Sequence, residues 1–93
     1  MAKLTVKVEG QADTEISVEG TVRIGRKSTN TVVLKDNICS REHAEIFESG
    51  GSFKIKDLGS HNGTYLNGVK ISETVLNDGD VISIGKAEMY FAK

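Results

Sequence analysis

Apolar residues recur at every second position, and that period limits what the chain can become. Leu4, Val6 and Val8 alternate with Lys3, Thr5 and Lys7. Phe53 and Ile55 interleave with Lys54 and Lys56, and Val22 with Ile24 and Met89 with Phe91 repeat the pattern. Successive side chains of a strand point to opposite faces, so these segments read as strands with one buried and one wet face. Turn residues interrupt them at short intervals: Gly10, Gly20, Gly25, Ser28 to Asn30, Asp36-Asn37, Gly50-Gly51, Asn77 to Asp80 and Gly85. Short strands with frequent turns predict an all-β sandwich of antiparallel type. In a chain without proline, Lys3, Lys7, Lys54 and Lys56 are expected to protect the edge strands by charge.

The segment from Asp36 to Glu48 breaks the rhythm. It has no glycine, and Leu34, Ile38 and Phe47 could be forced into a loose helical stripe. Its Asn and Ser side chains compete for helix hydrogen bonds, which favours a loop to Arg41 or Glu42 and then a strand through Ala44 and Ile46.

Ninety-three residues fit one domain, 1–93, around one core. A net charge of −1 and a pI near 6.1 argue against gripping a nucleic-acid backbone, which calls for a basic excess on one face. No apolar run approaches the ~20 residues needed to cross a bilayer, and the opening MAKLTVKVEG lacks a signal-peptide core. The expectation is a soluble cytoplasmic protein with no membrane contact. The single cysteine, Cys39, cannot form an internal disulfide.

Turn chemistry is concentrated between Asp57 and Gly68, DLGSHNGTYLNG, where twelve residues hold three glycines and two Asn-Gly pairs. Several chemistries are weaker than they look. Cys39 or Ser40 near His43 could pair nucleophile with base, Asp36 or Asp57 orienting the histidine. However, Gly59-Ser60-His61-Asn62-Gly63 has the wrong spacing for a nucleophile elbow, and so small a β domain encloses little. Cys39 reads better as a small buried apolar residue. Gly79 to Lys86 has one residue too many for a phosphate loop, and Ala87 stands where magnesium would need a hydroxyl, so it reads as a hairpin. Two distant histidines and one cysteine do not make a zinc site, and no cofactor or metal is expected. Asn62-Gly63-Thr64 is formally a glycosylation sequon, without a secretory signal to make it one in practice.

Arginine is scarce, three against nine lysines, and two of the three adjoin turns: Arg26 follows Gly25, and Arg41 follows Ser40. A guanidinium suits two-pronged capture of a phosphate. Gly25-Arg26, then Ser40-Arg41-Glu42-His43, then Asp57 to Thr64 stand in the order and spacing of the forkhead-associated (FHA) domain, which the chain resembles. Asn67-Gly68 and Leu76 to Gly85 extend the match, which covers about residues 3–92. Thr31-Val32 stands where the family often has Asp-Ile, and Cys39 replaces a common aliphatic residue.

The resemblance implies an eleven-stranded β-sandwich whose loops at one end bind phosphothreonine peptides, a signalling adaptor rather than an enzyme. It assigns Arg26 and Ser40 to the phosphate and Arg41 to the phosphate or peptide backbone. Asn62 would hold the peptide main chain, with His61 beside it and Ser60 on the same corner. Gly25, Gly63 and Thr64 would shape the site, and His43 would be the buried histidine that holds the serine loop. The partner implied is a phosphothreonine-containing protein, a kinase substrate, met by a monomer. The alternative is a scaffold of the same fold that binds an unphosphorylated protein surface.

Overall fold

Each alternating segment forms a strand in the computed structural model, which describes residues 2–93. In chain order these are β1 (Lys3–Val8), β2 (Thr14–Ser17), β3 (Val22–Gly25), β4 (Val32–Val33), β5 (Ala44–Ser49), β6 (Ser52–Asp57), β7 (Thr64–Leu66), β8 (Val69–Ile71), β9 (Glu73–Leu76), β10 (Val81–Ile84) and β11 (Ala87–Ala92), with no helix among the described residues. They make two sheets, one of six strands ordered β2-β1-β11-β10-β7-β8 and one of five ordered β4-β3-β5-β6-β9.

The buried half of each alternation lies between the sheets. Leu4, Met89, Phe91, Ile82 and Ile84 from the first meet Val22, Ile24, Ala44, Ile46 and Ile55 from the second, all but sealed from solvent. Half-buried Phe53 meets Phe91 edge to face, with ring centres 5.5 Å apart. Burying one such large side chain stabilises by about 1.5–3 kcal/mol, so this interior holds the sheets together.

Two turns show how the sequence sets register. Asn67-Gly68 joins β7 to β8 with φ of 50° and 85°, and Gly50-Gly51 joins β5 to β6 with 59° and 81°. Two consecutive positive φ values define a type I′ turn, whose twist matches the flanking strands. The segment after Asp36 is a loop, and β5 starts at Ala44, as the sequence predicts.

The sandwich of antiparallel type is as expected, with one parallel pair within it: β4 runs beside β3 in the same direction, with Ile24 opposite Val32. The chain crosses over between them, which no local pattern announces. One expectation is corrected: the four lysines do not guard edges. Lys3 and Lys7 lie on β1, inside the six-stranded sheet, and Lys54 and Lys56 on β6, inside the five-stranded one. Alternation places a lysine on the outer face of a strand but does not say which strand lies at the rim. The true edges are β2, β8, β4 and β9, all of two to four residues, and short edges offer little template for further pairing.

Candidate functional site

Three connections meet at one end of the sandwich: the start of β3–β4, the whole of β4–β5, and β6–β7. Main-chain bonds continue the sheet beyond its strands. Arg26 N–H donates to the Ser40 carbonyl at 3.0 Å, His43 N–H to Ile24 at 2.9 Å, and Leu58 N–H to His43 at 2.8 Å. Gly25 is needed for this approach. A Cβ there would collide with the Arg41 carbonyl oxygen and lie 2.7 Å from the Asn30 side-chain nitrogen. Asn30, only 9% exposed, donates its amide to the carbonyls of Lys27 (2.9 Å) and Arg41 (2.7 Å), fastening the first connection to the second.

His43 fastens the second to the third. It is completely buried, with Nδ1 accepting from Ser40 N–H at 3.0 Å and Nε2 2.8 Å from the Gly63 carbonyl. A nitrogen that accepts from an amide carries no proton, so the ring is neutral and Nε2–H donates to Gly63. Asp57 organises the third connection. Its carboxylate accepts from the N–H groups of Gly59 (3.1 Å) and Ser60 (2.9 Å) and from the hydroxyls of Ser60 (2.5 Å) and Thr64 (2.7 Å). Burial pushes the Asp57 carboxyl up, but the two hydroxyls and the Ser60 amide outweigh it and hold it below the usual carboxylate range.

These connections wall an open cleft of about 300 Å³ lined by Arg26, Asn37, Ile38, Cys39, Ser40, Arg41, His61 and Asn62. No carboxylate lines it. The Arg26 Nε donates to the Cys39 carbonyl at 3.2 Å, which steadies the guanidinium and leaves its terminal nitrogens without a partner among the described residues. Ser40 Oγ accepts from His61 N–H at 3.1 Å, so its own proton remains to be donated. The Asn62 amide donates one hydrogen to the Ile38 carbonyl at 2.9 Å, leaving the other hydrogen and the oxygen for a ligand. Surplus donors beside a fixed cation make a seat for a compact oxyanion, with Asn62 placed to pair with an adjoining peptide group.

Of the residues assigned from sequence, the structure brings together Arg26, Ser40, Arg41, His61 and Asn62. Ser60 is not among them. Half-buried, its hydroxyl donates to Asp57 and accepts from Gly63 N–H at 3.0 Å, which spends it on the turn. Gly63 and Thr64 are buried behind the cleft. Cys39 and Ser40 are not poised against His43, whose ring nitrogens are both occupied by main chain. Burial, and then Asp36, raise the Cys39 thiol, against a smaller opposing pull from Arg26, so it stays protonated.

Sequence reasoning passed over Asn30, which reads as one more turn residue, and Lys70 of β8, whose side chain crosses Gly63 closely enough that a Cβ there would lie 2.9 Å from its Cε. A separate concavity of about 290 Å³ is lined by Val8, Gln11, Val33, Leu34, Lys35, Asp36 and Ala87.

Comparison with known proteins agrees with this geometry. The FHA domain profile matches residues 22–85, and the chain belongs to that family. It is 41% identical over 73 residues, 78% of its length, to the ABC transporter ATP-binding/permease protein Rv1747 of Mycobacterium tuberculosis, of which it spans 8%. It is 41% identical over 71 residues, 76% of its length, to the glycogen accumulation regulator GarA of Mycolicibacterium smegmatis, of which it spans 45%. Among solved structures, the FhaA FHA domain in complex with the intracellular domain of Rv3910 superimposes with a TM-score of 0.84 at 33% identity, covering 98% of this chain and 99% of that one. An FHA domain analysed for phosphothreonine-dependent interactions gives 0.85 at 33% identity, covering 99% and 95%.

Proposed function

We propose that residues of about 3–92 form a single, monomeric, non-enzymatic module that binds phosphothreonine in partner proteins and serves as a cytoplasmic signalling adaptor. The observation that carries this reading is the Arg26 guanidinium beside the Ser40 hydroxyl, each with donors to spare, in a cleft without a carboxylate. A phosphothreonine brings close to two negative charges and three acceptor oxygens. Hydrogen bonds to charged groups contribute about 1.5–3 kcal/mol each. Three or four of them, less the cost of ordering a flexible peptide, support a complex near −8 kcal/mol, in the micromolar range. Asp or Glu, with fewer oxygens and less charge, replaces the phosphate poorly.

The test is a titration of one peptide in phosphothreonine, phosphoserine and unmodified forms against the wild type and Arg26→Ala. Tight binding of the first form, no binding of the third, and loss of at least about tenfold in the variant with its thermal midpoint unchanged are expected. Equal affinity for modified and unmodified peptide would instead favour a scaffold that reads an unphosphorylated surface.

A further inference from the structure

A second cleft adjoins the first and shares a wall with it. Arg41 lines both, and the second, also of about 300 Å³, is completed by Lys27 and Glu42. The backbone builds this pairing in register. Arg26 N–H donates to the Ser40 carbonyl at 3.0 Å, and one residue further on Lys27 N–H donates to the Arg41 carbonyl at 3.2 Å. The buried Asn30 amide then clamps the carbonyls of the same two residues, Lys27 and Arg41, at 2.9 and 2.7 Å. Two exposed cations are thereby held on neighbouring main-chain segments by one buried side chain.

Like charges held together repel, and the sequence does little here to offset it. The ion pairs among the described residues sit on Lys3, Lys7 and Arg23, none on Lys27 or Arg41. Glu42 supplies one carboxylate against two cations. In a chain of net charge −1, this end of the molecule keeps a local positive excess that extends past the Arg26–Ser40 seat. Such an excess steers the first anion and leaves charge to attract a second negative group on the same ligand.

We infer that Lys27 and Arg41 form a second anion seat, and that the natural partner carries a further anionic group about two to four residues from its phosphothreonine, the span an extended peptide needs to pass from one cleft into the next. The inference rests on the reading of the first cleft given above. A carboxylate side chain and a second phosphate share the required chemistry and differ in charge and geometry, so both are tested.

The probes are synthetic phosphothreonine peptides with neutral flanks, the same peptides with glutamate scanned through the flanking positions, and a third set with a second phosphothreonine. Each is titrated by fluorescence anisotropy against the wild type, Lys27→Ala, Lys27→Glu and Glu42→Gln. At one or more flanking positions glutamate should tighten binding by about threefold and a second phosphate by about tenfold. The ratio of acidic to neutral peptide affinity should fall to about one in Lys27→Ala, drop below one in Lys27→Glu, rise in Glu42→Gln, and shrink as salt increases from about 0.05 to about 0.5 M. Lys27 and Glu42 are exposed, so these variants fold. Binding of the neutral phosphopeptide without any gain at any position overturns the second seat alone, as does a gain that survives Lys27→Glu. Failure of every phosphopeptide to bind overturns the first seat and the second with it.

Discussion

Gly25 shows how much of the site rests on a missing atom. Its φ is ordinary, so conformational freedom is not what it supplies; its hydrogen lets the Arg41 carbonyl come close enough for Asn30 to bridge the two connections. Gly25→Ala forces main chain against main chain, with no flexible side chain to absorb the overlap. The variant should lose at least about 2 kcal/mol of stability in urea unfolding, with phosphopeptide affinity reduced in what remains folded. A change below about 0.5 kcal/mol would show that the connections separate without cost. Arg26 and Arg41 stood out in the sequence because arginine is scarce and both adjoin turns, whereas Ser40 and Asn62 are picked out only by the resemblance to the FHA family. Ser60 was misread because the sequence cannot tell whether a serine on a tight corner faces the ligand or caps the corner from inside. Here a half-buried carboxylate three residues upstream recruits it.

At the scale of elements, strands were legible wherever one face is buried, since burial imposes period two, and hairpins wherever Asn-Gly or Gly-Gly requires positive φ. β4 was not. Two residues, Val32 and Val33, carry no period, and their parallel pairing with β3 is set by the crossover. The corner from Asp57 to Thr64 behaves as an element in its own right, tied by one carboxylate that takes four hydrogen bonds. Because that carboxyl titrates below the ordinary value of about 3.9, its contribution is complete above about pH 4 and is lost as pH falls through the lower folded value. Acid unfolding should therefore steepen below about pH 4 in the wild type and be visibly flatter there in Asp57→Asn. The variant should also be about 1–3 kcal/mol less stable at neutral pH, since donors matched to an anion meet an amide. Superimposable acid profiles would remove Asp57 from this role.

For the molecule as a whole, the bonds that shape the cleft join residues far apart in sequence: His43 to Gly63, His61 to Ser40, Asn62 to Ile38. No fragment can hold that geometry alone, so site and fold form together. The order of the six-stranded sheet sharpens the point, because β11, last in the chain, lies in its interior between β1 and β10. Until Ala87–Ala92 arrives, the β1–β2 pair has no link to the rest of its sheet, and Met89 and Phe91 are missing from the interior. A chain stalled on the ribosome with β11 still in the exit tunnel should bind no phosphothreonine peptide, and extension that brings β11 clear of the tunnel should switch binding on; capture by the stalled chain would contradict this. Competence thus waits on the strand that fills the gap in the sheet, and a copy of the domain cut short before Ala87 should not compete for a phosphorylated partner.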